Sequence, residues 1–123
     1  MIVIDTNVWI DHLRNADPVL IALLGDGRPR VHPDVIGEFA LGTLRDRTTV
    51  LTFLERMPRA QLAEPDEVMR LISDHALHGL GLGDVDAHRL ASAKLMPGSR
   101  IRTRDRRLAA VSDRLGLSCR ATP

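Results

Sequence analysis

Tyrosine is absent from this chain, and its only aromatic rings besides histidine are Trp9, Phe39 and Phe53. Proteins that hold single-stranded nucleic acid by base stacking need aromatic platforms, so stacking contributes little to whatever is bound here. Cys119 is the only cysteine, which excludes an intrachain disulfide and a cysteine-built zinc site. A reducing cytoplasm is the expected setting. Continuous apolar runs are only a few residues long, such as Ile2-Val3-Ile4, whereas a membrane helix needs about 20. The N-terminus carries no basic segment followed by a long apolar stretch, so no signal peptide is expected.

What is present fits a globular chain. The 123 residues are 44% hydrophobic, which predicts one domain over residues 1–123 with a real core. The net charge of +1 hides a segregation. Residues 100–123 hold seven arginines against Asp105 and Asp113, a surplus of +5, and residues 1–99 hold ten basic against fourteen acidic groups, −4. A basic quarter beside an acidic body suits a polyanion held near bound cations, or else a solvated arginine-rich surface.

Met1 to Ile4 reads as a buried strand of a parallel sheet. A helix carrying Val8, Trp9 and Leu13 follows Asp5 at once, and Asp17-Pro18 opens a second helix. Arg30 to His32 is a weak strand, Pro33-Asp34 opens a helix, and a further helix runs through Val50 to Met57. Gln61 to Ala63 is a possible short strand. A helix begins at Pro65 and continues to Gly79, and a glycine-rich break spans Gly79 to Gly83. The helix from about Asp84 to Met96, a strand from Arg100 to Thr103, a helix stopped by Gly116 and an edge strand from Leu117 to Cys119 complete the chain. The alternation predicts a three-layer α/β/α sandwich around a central, mostly parallel sheet.

Asp5 ends the first strand, and Asp105 lies two residues beyond the strand ending at Thr103. In open α/β folds ligands occupy the crevice beyond the carboxyl ends of the strands. Asp5, Asp86 and Asp105 also stand near helix starts, where an aspartate caps backbone N–H groups. Asp84 has an even better claim as a cap, which leaves Asp86 in the first turn free to point elsewhere. Glu38 interrupts an apolar stretch from Val35 to Leu41. Such a carboxylate is costly unless hydrogen bonds or a cation offset it; alternatively it lies at the solvent edge or pairs with an arginine such as Arg45. Four converging acids would raise one another's pKa. A divalent cation removes that penalty, and an all-carboxylate set suits Mg²⁺ or Mn²⁺ better than zinc.

Four blocks of the sequence carry a family resemblance. Met1-Ile2-Val3-Ile4-Asp5-Thr6-Asn7-Val8-Trp9-Ile10-Asp11 resembles the opening of PIN-domain nucleases, in particular the VapC-type toxins of bacterial toxin–antitoxin pairs. The stretch Pro33-Asp34-Val35-Ile36-Gly37-Glu38-Phe39 with Gly42 resembles the second block of that family. The third resembles Gly79-Leu80-Gly81-Leu82 followed by Val85-Asp86-Ala87-His88-Arg89-Leu90-Ala91, and the fourth Thr103-Arg104-Asp105-Arg106-Arg107-Leu108. The resemblance implies an endoribonuclease dependent on one or two Mg²⁺ or Mn²⁺ ions. It places metal coordination and catalysis on Asp5 and Asp86 first, with Asp105 and Glu38 completing the site. Thr6, Asn7 and Thr103 would support it through hydrogen bonds. Arg102, Arg104, Arg106 and Arg107 are candidates for gripping RNA phosphates, strand alternation turning only some of them to the RNA. A cognate antitoxin and a homodimer are implied as partners, with no membrane. The stripes of the first four helices form the antitoxin's groove or are ordinary core.

Other readings remain open on the residues alone: an RNA-processing nuclease of this family without a toxin role, or a metal- or RNA-binding module that does not cut. A phosphoryl-transfer protein of receiver or phosphatase type would want a well-placed lysine, and the only one, Lys94, falls late in a helix. His75 and His78 have metal-compatible spacing without an evident third ligand, and His88 is expected to support its helix.

Overall fold

The computed structural model describes residues 1–119. Strand β1 (Ile2–Ile4) runs through Asp5 into α1 (Thr6–Arg14), followed by α2 (Pro18–Gly25), β2 (Pro29–Arg30), α3 (Pro33–Leu41) and α4 (Arg47–Arg56). The second half contributes α5 (Pro65–Asp74), α6 (Asp84–Leu95), β3 (Arg100–Arg102) and α7 (Arg106–Arg114). The sheet is parallel in the order β2-β1-β3, with β1 at its centre. Ile2 pairs with both Pro29 and Arg100, Val3 with Arg30 and Ile101, and Ile4 with Arg102.

Alternation along β1 creates the layers, because successive side chains of a strand leave on opposite faces. Ile2 and Ile4 join a core with Val8, Trp9, Leu20, Val35, Phe39 and Leu54, drawn from α1 to α4. Val3 and Ile101 join a second core with Val68, Leu90, Ala91, Leu108 and Val111, drawn from α5 to α7. A strand buried on both faces must be apolar throughout, and all three residues of β1 have no exposed surface. The helix starts follow the capping logic of the sequence. Asp5, Asp17 and Asp105 each accept backbone N–H groups of the helix they precede, and proline opens α2, α3 and α5. No helix among the described residues is long and apolar enough to cross a membrane.

Four local expectations change. Gln61 to Ala63 forms no strand; the bridge to Val31 is made by Arg59, held by Val31 N–H to Pro58 O (2.9 Å) and Ala60 N–H to Val31 O (3.0 Å). The strand expected at Arg30 to His32 shifts to Pro29–Arg30, because the buried His32 turns its Nδ1 to accept the Asp34 N–H (3.1 Å) and caps α3. Helix α5 stops at Asp74 rather than reaching Gly79, since Ala76 takes a left-handed conformation (φ 51). Leu117 to Cys119 makes a single parallel bridge, Ser118 to Ile101.

Asp17 ties this frame together by charge. Its carboxylate caps α2 through Val19 N–H (2.9 Å) and lies 3.3 Å from Arg104 Nη2 and 3.6 Å from Arg102 Nη2, while Arg104 Nε also meets Asp11 at 2.6 Å. Burial pushes the Asp17 carboxyl up, but the Val19 and Leu20 N–H groups and the two arginines outweigh it, and its pKa falls below the usual value. A carboxyl with a lowered folded-state pKa adds stability above its unfolded pKa and loses that stability as pH falls through the folded value. Asp17→Ala is therefore expected to cost about 1–2 kcal/mol at pH 7 in urea unfolding. The gap between variant and parent should close in acid below about pH 4; a gap independent of pH would overturn the assignment.

Candidate active site

The carboxyl end of β1 gathers the acids. Asp5 is 5% exposed and accepts four donors. Its Oδ1 takes the Thr6 N–H (2.8 Å) and the Arg89 guanidinium, and its Oδ2 takes the Thr103 hydroxyl (2.6 Å) and the Asn7 amide (3.2 Å). The Asp5 N–H donates to Arg102 O (2.9 Å), which locks β1 to β3 where the site begins. Thr103 Oγ1 also receives the Asp105 N–H (3.0 Å), and Asn7 Oδ1 receives the Arg104 N–H (3.1 Å). Thr6, Asn7 and Thr103 thus all hydrogen-bond within the site.

Two of the other acids, Asp86 and Asp105, stand at helix starts on one side of the sheet, and Glu38 comes from the middle of α3 on the other. Asp105 is exposed and caps α7 through Arg107 N–H (2.9 Å) and Leu108 N–H (3.0 Å). Asp86 sits in the first turn of α6 and accepts the Gly83 N–H (3.1 Å). Its carboxyl pKa is raised, first by burial and then by the negative charges of Asp5 and Asp105, against the pull of Gly83 and Arg89. Asp5 and Asp105 thus lie near enough to Asp86 for their charge to act on it. Asp84 turns outward with an 86% exposed side chain, 3.6 Å from His88 Nε2, and the cap of α6 is Gly83 rather than Asp84. Glu38, on α3, pairs with Arg89 and not with Arg45.

Arg89 is the residue that sequence reasoning missed. It lies on α6 three residues after Asp86, its side chain is 3% exposed, and its fork reaches Asp5, Glu38 and the Thr6 hydroxyl (3.2 Å). The signal was available: an arginine among the small and apolar residues from Ala87 to Ala93 is the same anomaly that singled out Glu38.

The donor set fits a hard divalent cation, being all carboxylate oxygen, with the Asp86 pKa raised first by burial and then by the charges of Asp5 and Asp105. Among the described residues, however, no three acid or imidazole groups stand in a ready-made metal-holding cluster, the pair His75 and His78 included. A guanidinium lies between Asp5 and Glu38 instead.

The basic candidates divide. Arg102 and Arg104 are engaged by Asp17 and Asp11, so their charge is balanced within the fold. Arg106 and Arg107 are exposed at the start of α7. Arg107 lies across Gly81, where a Cβ would stand 2.8 Å from its Nη1; this is where the glycine-rich turn requires glycine, at φ +79.

Comparison with known proteins agrees with this geometry. The sequence pattern of the PIN domain family matches residues 2–114. Ribonuclease VapC32 of Mycobacterium tuberculosis, in strain CDC 1551 / Oshkosh and in strain ATCC 25618 / H37Rv, is 46% identical over 118 residues, covering 96% of this chain and 95% of the relative. No solved structure matches the chain significantly.

The raised Asp86 pKa has a measurable consequence. Stability is lost as pH rises through a raised carboxyl pKa, because the folded state then holds a charge it disfavours. Asp86→Asn is expected to raise the melting temperature of chelator-treated protein by about 2–5 °C at neutral pH. The advantage should shrink in acid, where the parent carboxyl is protonated; a variant that melts lower at neutral pH would count against that raised pKa.

Proposed function

The chain belongs to the PIN-domain family, and from that premise we propose that it is the ribonuclease toxin of a toxin–antitoxin pair, folding as one domain over residues 1–123. It is an endoribonuclease, a hydrolase of RNA phosphodiesters. What supports this reading is Asp5 at the carboxyl end of the central strand, joined to Glu38 through Arg89 and, with Asp105, near enough to Asp86 for its charge to act there.

These four acids are the proposed catalytic and metal-holding residues, for one or two Mg²⁺ or Mn²⁺ ions. When bound, a divalent cation supplies Lewis acidity toward the phosphate and eases deprotonation of the attacking water. The chain's own groups do the rest. Thr103, Asn7 and the Thr6 N–H fix the rotamer of Asp5, and Gly83 N–H fixes Asp86. Arg106 and Arg107 are the cations placed to grip flanking phosphates. With so few aromatic rings, target choice depends on RNA shape and backbone rather than stacking.

The antitoxin reading is supported by a cleft that begins at the site. A hollow of about 770 Å³ runs from Thr6 and Glu38 past Leu13, Phe39 and Val50, between α1, α3 and α4. A neighbouring apolar pocket of about 270 Å³ adds Trp9, Phe53 and Leu54. An apolar antitoxin segment laid there would reach the acids at its end. Exposed Leu62 and Met69, in the layer of α5, offer apolar surface to a second copy in a homodimer. The proposed place of action is the cytoplasm, where RNA is and Cys119 stays reduced.

Asp5→Asn, assayed with Mn²⁺ on structured RNA and checked for folding by circular dichroism, is expected to lose roughly 100-fold or more in cleavage rate. Undiminished cleavage overturns the site, and no cleavage by the parent protein on a broad RNA panel favours a binding module.

A further inference from the structure

We propose that Arg89 is an internal counter-ion of the acidic site, a positioning residue that holds Asp5 and Glu38 together and must release them for a divalent cation to enter. The proposal rests on the metal-holding reading of those acids.

The argument starts from valence. An ionised carboxylate offers about four acceptor positions, and Asp5 has four donors on it: Thr6 N–H, Asn7, Thr103 and Arg89. A cation approaching Asp5 therefore displaces a donor. The Thr6 N–H is fixed by the start of α1, and Thr103 and Asn7 bond the other carboxylate oxygen. On Oδ1 the only side-chain donor is Arg89, which is also the only cation in contact with Asp5 among the described residues.

Burial and reach support the same role. Arg89 extends from α6, in the layer below the sheet, to Glu38 on α3 in the layer above, with 3% of its side chain exposed. The two Nη groups make all of its hydrogen bonds in the site, to Asp5, Glu38 and Thr6, while its buried Nε has no partner. A buried guanidinium persists only when paired, and its rigid planar fork presents donors to two acids at once in a fixed geometry. The pair explains why the acids gather without a ready metal cluster: the gap between Asp5 and Glu38 already holds a positive charge. Once Arg89 withdraws, both acids regain free oxygens. A monovalent ion gains too little to displace a bidentate guanidinium, so the contact also favours divalent ions.

The test is metal affinity, which a merely structural ion pair would not strengthen when broken. Mn²⁺ binding is measured by calorimetry on the parent, Arg89→Met and Arg89→Lys, with melting temperatures taken with and without the ion. Arg89→Met is expected to bind Mn²⁺ about tenfold or more tightly than the parent, through removal of a like charge beside the ion. It should melt lower in chelator and recover with Mn²⁺, while Arg89→Lys stays nearer the parent. Should Arg89→Met not fold, the parent decides: the Arg89 Nη–H nuclear magnetic resonance signals should be held in slow rotation without metal and be released at saturating Mg²⁺. Equal or weaker Mn²⁺ binding by Arg89→Met, or signals unmoved by Mg²⁺, overturns the role of Arg89 and leaves the metal reading standing. Absence of Mn²⁺ binding in both parent and variant overturns the metal reading and this proposal with it.

Discussion

The carboxylate of Asp5 is the constraint on which the rest turns. It stands where the central strand ends and the first helix begins, and it is buried. Such a group must fill its hydrogen-bonding capacity. Filling it recruits Thr6 from α1, Thr103 from the end of β3 and Arg89 from α6. One side chain thereby fixes the strand order at the site, the start of α1 and the approach of the opposite helical layer. The donors that hold Asp5 in place already fill its four acceptor positions.

A second theme is that charge counted along the sequence differs from charge available in space. The C-terminal quarter carries a large arginine surplus, yet Arg102 and Arg104 are turned back onto Asp11 and Asp17. Part of the basic stretch is thus mortar between α1, α2 and β3. The acidic body is treated likewise: Glu38 and Asp5 have their own guanidinium, and Asp84 faces solvent beside His88. The surface a polyanion meets is narrower and less basic than the composition suggests.

Much of the fold was legible because local rules and packing agree. The three apolar residues of β1, the Asp-Pro opening of α2 and the glycine stop after α7 each mean one thing, and the α/β/α layering follows from them. Misread elements were short segments whose state is set from outside. Gln61 to Ala63 has strand-like composition, but Val31 takes its bonds from Pro58 and Ala60. His32 resembles a strand residue and serves as a cap. The acids were singled out by position and by the family blocks. The preference for Asp86 over Asp84 follows helix geometry: Gly83 takes the cap, so Asp84 opens the first turn facing outward and Asp86 turns back toward the sheet. Arg89 escaped because a charged residue on a helix is assumed to be solvated, although the small and apolar residues around it on α6 already pointed to a packed face.

The central place of β1 also bears on the order of manufacture. The middle strand of the sheet, β1, precedes both of its partners, and the contact with the end of β3 joins residues far apart, Thr103 lying 98 residues from Asp5. Contacts so distant in sequence close late. A chain still being translated can pack α1 to α4 against one face of β1, but Asp86, Arg89, Thr103 and Asp105 are not yet there to assemble around Asp5. The polar cluster around Asp5 is thus among the last parts of the described fold to assemble during synthesis.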